Sequence, residues 1–492
     1  MPQICGKAMA SPNSVSPRHL RRTGMVLVGA ALLGGCAGIP GPERHAPLAG
    51  APASAQSLPA GTARWPDENW WRSGDAQLSS LIEEGLAHSP DLAVTAARMQ
   101  KAAAMARVAG APLLPSLDGR GSLGVARQSL NNGFPATFSA FLPHGWDDNG
   151  QIATSLGFDP DLWGRNRSAA AAARAEGGAV AIEARAARLA LATAIAGAYA
   201  DLGGLLAVAE VRRAEVDNRS ALLRLVVERA AAGMENQAAV HSAEAQLASA
   251  RGDLAAARAG VELRRHQLGV LLGAGPDRAA TLTPSPAELS AALPADAATG
   301  LLARRGDIAA ARLRVQAAAA RIRVARADFF PSVRLDALIG FQSVGIEKLV
   351  QSASTFGAVG PALSLPLFHG GARIGQYRGA QADFEAARAD YERTVLGAYQ
   401  QAADAVSTRA ALVVQRTEAR TAERASAEAF RIAQERYRAG LSSYLDVLTV
   451  EERWLLARLA AASLDAAARG ADVALIRALG GGYAASAEGP KE

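Results

Sequence analysis

Four stretches of this chain alternate between apolar and polar residues, while most of the rest follows a helical rhythm. The clearest alternation runs from Ser332 to Phe341. Val333, Leu335, Ala337, Ile339 and Phe341 fall on one side; Ser332, Arg334 and Asp336 fall on the other. A period of two predicts a strand with one apolar face. Just ahead of it, "RLRVQAAAARIRVARA" is built of strong helix formers and holds no breaker. Pro331 ends that helix, because proline lacks an N–H and disfavours helix at the residue before it. Two other stretches behave alike. Ile152, Leu156 and Phe158 oppose Gln151, Ser155 and Asp159, and Val359, Leu363 and Leu365 oppose Ala358, Ala362 and Ser364. Strands are expected over about Ser116–Gln128, Asn149–Leu162, Ser332–Ser343 and Ser354–Leu367.

The remaining pattern predicts very long helices. No proline occurs from Arg165 to Ala232 or from Ala372 to Ala439, and a helix over either path would reach ~100 Å at about 1.5 Å per residue. Leu191, Ile195, Ala198, Leu202, Leu205 and Ala209 step by four and three, the spacing of a coiled-coil seam. Leu448, Leu455, Leu459, Ala462 and Ala466 keep a similar rhythm.

This plan occurs twice. "PDLAVTAARMQKAAAMARVAGAPLLPSL" (Pro90–Leu117) lines up without a gap on "GDIAAARLRVQAAAARIRVARADFFPSV" (Gly306–Val333), and "ERAAAG" (Glu228–Gly233) lines up on "ERYRAG" (Glu435–Gly440). Register held over such lengths marks an internal repeat. Each copy reads helix, proline, strand, loop, strand and two long helices, with Pro276, Pro284, Pro286 and Pro294 in a linker between copies. The expected divisions are a signal segment at 1–35, an N-terminal segment at 36–74, a first repeat at 75–275, a linker at 276–294, a second repeat at 295–480 and a tail at 481–492.

Strands of about ten residues have the length of membrane-spanning β-strands. An open four-stranded sheet leaves backbone groups unpaired at its edges, which lipid does not tolerate. Several chains are therefore expected to pool strands into a closed barrel. Val333, Leu335, Ile339 and Phe341 would then face lipid, and Arg334 and Asp336 a wet lumen.

Composition narrows this reading. Half of the chain is apolar (50%) and 20% is charged, enough for a large core. The net charge of +6 owes much to Lys7, Arg18, Arg21 and Arg22 near the N-terminus, so no nucleic-acid footprint is expected. That region, "RHLRRTGMVLVGAALLGGC", has the basic, apolar and small-residue order of a secretory signal. Leu33-Gly34-Gly35-Cys36 resembles the bacterial lipobox, which would make Cys36 the lipidated N-terminus; an ordinary signal peptide ending near a cysteine is the alternative. By the same resemblance, Ala37 points to the outer membrane. Cys5 lies upstream of the cut, so no disulfide framework is expected. No apolar run of eighteen residues occurs elsewhere, and no helix is expected to cross a bilayer.

Enzyme motifs find no support. Gly119-Arg120-Gly121-Ser122-Leu123-Gly124 satisfies G-x-G-x-x-G, but a dinucleotide site needs that string between a strand and a helix, and here it lies within a strand. His241 and Glu244 share a helix face, a spacing more often a solvated pair than a metal site. We expect no enzyme activity, no cofactor and no metal.

Together these residues reach a family. From Asn69 to Gly480 the chain resembles the outer-membrane efflux factors of the TolC and OprM type, and within them the lipoprotein branch. "NWWRSGDAQLSSLI" resembles that branch's opening, and "LLARRGDIAAAR" its Leu-Leu-x-Arg-Arg-Pro-Asp-Ile box, with Gly306 in place of proline. "DLWGR" and "LPLFHGGARI" resemble the strand-to-helix turns, and "ERYRAGLSSYLDVL" the periplasmic helical hairpin. The resemblance implies a mixed α and β fold. A homotrimer would form a twelve-stranded transmembrane β-barrel, four strands per chain, continued by a periplasmic α-helical coiled-coil barrel. It implies a passive exit duct for drugs or other small solutes, docked to a periplasmic adaptor and an inner-membrane pump of the RND type. The alternatives are the duct of a type I protein secretion system and a periplasmic coiled-coil scaffold lipoprotein.

The hairpins carry the remaining candidates. Gly233 and Gly440 sit where long helices must reverse, a position that suits glycine. Beside the second turn lie Arg436, Tyr437, Arg438 and Asp446. In the family, residues matching Arg436, Tyr437 and Arg438 hold the periplasmic constriction shut. For Asp446 a second reading stands beside the gate, because Ser443-x-x-Asp446 has the spacing of a helix capping box.

Overall fold

A computed structural model describes residues 47–483, apart from residues 55, 128, 130–136, 138–140, 142–143 and 286–291. Cys36 with its signal segment, most of the loop after the first strand, Pro286 and the 484–492 tail lie outside the described residues. The first copy comprises α1 (Ala76–His88), α2 (Pro90–Gly110), β1 (Ser116–Ala126), β2 (Asp147–Phe158), α3 (Arg165–Ala231) and α4 (Gln237–Leu271). The second comprises α5 (Ala297–Arg304), α6 (Gly306–Ala327), β3 (Ser332–Val344), β4 (Thr355–Ser364), α7 (Ala372–Arg438) and α8 (Tyr444–Ala478). The helices α3 and α7 each hold 67 residues, and α4 and α8 each hold 35. The lengths of these two long helices are thus preserved to the residue between copies.

Glycine and a polar cap set those lengths. Gly233 (φ 72°) and Gly440 (φ 74°) are left-handed and end α3 and α7. Beyond them, Met234 N donates to Arg229 O at 2.9 Å and Leu441 N to Arg436 O at 2.8 Å, the bond pattern of a helix stopped by a left-handed residue. Each return helix then starts on a side-chain cap: the Asn236 side chain accepts from Ala239 N at 2.9 Å, and Ser443 Oγ accepts from Asp446 N at 3.3 Å.

Contacts divide the chain into two units. One includes Gly110–Ala169 and Ala320–Ala382; the other comprises Leu48–Ala109, Ala170–Ala319 and Asp383–Glu492. The first holds one antiparallel sheet of order β1-β2-β3-β4, in which β2 pairs with β3 and so joins the copies. The strands are shorter than expected at several ends. Beyond Phe158, Asp161 N donates to Asp159 Oδ1 at 2.8 Å, so Asp159 turns the chain before Leu162. Pro366, which has no N–H to offer a ladder, follows the early end of β4.

The turn "DLWGR" is locked to "DFFP". Trp163 stacks on Phe330 with ring centroids 4.6 Å apart and donates from Nε1 to Pro331 O at 2.6 Å, while Arg165 pairs with Asp328 at 2.6 Å. Asp161, at φ 50°, accepts from the backbone N–H groups of Asn166 and Arg167 at the start of α3. Burial alone would raise its carboxyl pKa, but those two N–H bonds and the Arg167 guanidinium outweigh it and hold the group below its ordinary value.

In the helical unit the seam expected in α3 is buried at Ile195, Ala198 and Leu202. In α8 the expected seam residues are only half-buried, and the buried positions of its first two turns are Tyr444, Val447 and Glu451. The true stripe keeps the three-four spacing but includes a glutamate, which a search for apolar residues passes over. Within "LLARRGDI", Arg305 is buried and donates to Asp307, to Gln401 Oε1 at 2.9 Å and to Ala478 O at 3.0 Å. By length and composition α3 is apolar enough to cross a membrane, a test that a core helix also passes, and half of its most apolar stretch is buried inside the protein. Interruption by a very few charged or polar residues hides such a stretch from a search for unbroken runs.

Candidate functional site

Two features carry the functional question: the faces of the sheet and the tips of the helical hairpins. In the sheet, Leu117 pairs with Leu156, Ile152 with Phe341, Phe158 with Leu335 and Val333 with Leu363. Cross-strand partners project to the same side, so the apolar positions of all four strands gather on one face. Ser116, Asp118 and Arg120 share the other with Gln151, Ser155, Arg334 and Asp336. Leu338, Val344 and Phe356 are its large apolar exceptions. Leu335 and Ile339 are exposed on the first face, at 46% and 65%. Such a surface asks for an apolar surround. The glycines Gly119, Gly121 and Gly124 lie within β1.

At the tips, Tyr437 is 1% exposed and packs in a cluster with Leu222 and Val226 of α3, Val240 of α4, Phe430 of α7, and Tyr444 and Val447 of α8. Arg229 lies over its ring, with Cζ 4.7 Å from the centroid, and donates from Nη1 to Tyr437 O at 3.1 Å. Burial pushes the Tyr437 phenol up, the Glu235 charge adds to this and Arg229 opposes it; no well-aligned hydrogen bond reaches the hydroxyl. Arg436 and Arg438 are exposed. Asp446 Oδ2 accepts from Ser443 N at 2.9 Å and from Ser443 Oγ at 2.8 Å, a complete capping box. The Ser443 bonds hold its carboxyl below the ordinary value, helped by the charge of Arg436. Of the four residues named from sequence, Tyr437 is therefore interior, Asp446 is a cap, and the arginines face solvent. His241 and Glu244 form an exposed pair at 3.1 Å.

One neighbouring pair carries no motif. Arg219 of α3 and Glu451 of α8 approach to 3.2 Å, off the hydrogen-bonding direction, with side chains 7% and 3% exposed. Burial pushes the Glu451 carboxyl up to about 7; Arg219 draws it down and Glu215 adds to the rise. Its sequence signal is faint: a glutamate at the next position of a buried three-four stripe.

The model of the family described as outer membrane efflux protein matches residues 81–274 and 298–481, most of the chain and once in each copy. The chain belongs to that family. The efflux protein is 30% identical over 440 residues to the multidrug resistance outer membrane protein MdtP of Escherichia coli, covering 88% of this chain and 90% of that one. It is 33% identical over 350 residues to the fusaric acid resistance protein FusA of Burkholderia cepacia, spanning 69% of this chain and only 64% of that relative. The solved outer membrane protein VceC of Vibrio cholerae is 38% identical with a TM-score of 0.79, covering 85% of this chain and 99% of that chain. The fold is that of an outer-membrane channel, and the efflux protein is an outer-membrane component of an efflux system. Its family consists of channels rather than enzymes.

Proposed function

We propose that the efflux protein assembles as a homotrimer whose pooled strands close one barrel. It forms a passive exit duct for drugs and other small solutes, docked to a periplasmic adaptor and an inner-membrane pump of the RND type. A lipid on Cys36 adds a second anchor. The observation that carries this reading is the four-stranded sheet with an apolar and a polar face and with β1 and β4 at its edges. Such edges are stable in lipid only when another chain pairs with them. Resistance named in two relatives supports the drug and small-solute cargo.

At the periplasmic end, Arg436, Tyr437 and Arg438 form the closing region, and Arg229 is its tie. Arg229 bonds the carbonyl and covers the ring of Tyr437, linking the α3 hairpin to the α7 hairpin. Opening would require that link to slacken. The detergent-purified protein should have the mass of a trimer and conduct in planar bilayers; a monomer, or a trimer that carries no current, defeats the duct reading. Arg229→Ala, which removes both the bond to the carbonyl and the cover over the ring, should raise conductance while the trimer persists. Conductance equal to the parent's would place the closure elsewhere.

A further inference from the structure

Four of the six charges on the described strands gather at one end of one face. Among the described strand residues, the charged ones are Asp118 and Arg120 of β1, Asp147 and Asp148 of β2, and Arg334 and Asp336 of β3. Asp147 and Asp148 stand at the start of β2, where Asp148 accepts from Gly345 N and Ile346 N. The other four lie on the polar face near the opposite end. Gly157 of β2 stands between Ser116 and Asp336, and Ser155 between Asp118 and Leu338. Read inward from that end, successive rows of the face therefore carry Arg334, then Asp336, then Asp118, then Arg120. Two carboxylates are flanked by two guanidinium groups.

Small neighbours keep these groups in the open. Arg334 Nη2 lies 2.9 Å from where a Cβ on Gly157 would stand, and Ser116 Oγ lies 3.3 Å from the same point. Arg334 also approaches Asp336 at 3.6 Å, their side chains 57% and 50% exposed. The four charges share one concavity of about 580 Å³ with Ser116 and Ser155. An exposed ion pair contributes little to stability, so stability gives little reason to collect charges there.

We propose that Asp118, Arg120, Arg334 and Asp336 form a charge-balanced selectivity belt inside the barrel, one that passes ionised solutes of either sign and engages zwitterions. A ring of one sign rejects ions of that sign. At each edge of the belt an arginine row and an aspartate row lie about 7 Å apart, two residues along a strand, and let a solute carrying both charges meet an arginine and an aspartate together. The proposal rests on the duct reading of these strands.

The test measures reversal potential of the purified trimer in a planar bilayer under a potassium chloride gradient. Asp118→Asn with Asp336→Asn should shift the permeability ratio severalfold towards chloride, and Arg120→Gln with Arg334→Gln severalfold towards potassium. Free arginine, an amphoteric probe added on the side of the inter-strand loops, should reduce the parent current more than that of the variant carrying all four substitutions. Asparagine keeps the size of aspartate, glutamine keeps a polar but shorter side chain in place of arginine, and a trimer mass shows that each variant assembles. A parent trimer without current defeats the duct reading itself. Normal conduction with unchanged ratios and unchanged arginine block defeats the belt alone, as would a shift of both paired variants in the same direction.

Discussion

At the scale of single residues, the hairpin tips show how burial changes what a side chain can do. Tyr437 is the hub of an apolar cluster, and its ring, rather than its hydroxyl, makes the well-defined contacts. Glu451 is the opposite case, a titratable group in a place that disfavours its charge. Desolvation lifts its carboxyl to about 7 from an ordinary value of 4.5, despite Arg219 beside it. The folded protein thus holds this proton where the unfolded chain would release it. The stabilising contribution is fully present below 4.5 and is lost as pH rises through about 7. Thermal unfolding in detergent should therefore move to lower temperature between about pH 5 and about pH 8. Glu451→Gln should flatten that change. A parent curve with the same slope as the variant would show that Glu451 titrates elsewhere.

At the scale of elements, period and punctuation made much legible. Alternation identified the two faces of the sheet because a strand's side chains have a period of two, and absence of proline gave both 67-residue helices nearly to their ends. The end of β2 was not legible, because the Asp159 turn competes with the ladder. The α8 stripe escaped because one of its buried positions is Glu451, and the burial of Tyr437 because it depends on α3, remote in sequence. The strand register also ranks substitutions by depth. Ile339 is near the middle of β3, whereas Leu335 lies close to its start. Ile339→Arg should cost about 2–4 kcal/mol of barrel stability and Leu335→Arg about 1 or less, since the cost of a charge falls towards the interface. Arg334→Leu, on the polar face, should leave assembly nearly unchanged. Equilibrium unfolding from lipid vesicles would measure all three, and a larger loss for Arg334→Leu than for Ile339→Arg would reverse the two faces.

At the scale of the whole molecule, the question is what holds the duct in its membrane. Membrane affinity from a single acyl chain is marginal and reversible, and several chains add to it. A closed barrel is a different kind of anchor, since its outer face withdraws from water the exposed apolar positions Leu117, Ile152, Ile339, Val359 and Leu363. The proposed lipid on Cys36 is then auxiliary to strands that insert without it. Cys36→Ser should abolish labelling by a radioactive or clickable fatty acid, yet leave a fraction of trimer that resists extraction by carbonate and still conducts. Labelling that survives the substitution would remove Cys36 as the modified residue. Loss of all membrane-inserted trimer would make the lipid the primary anchor and the strands dependent on it.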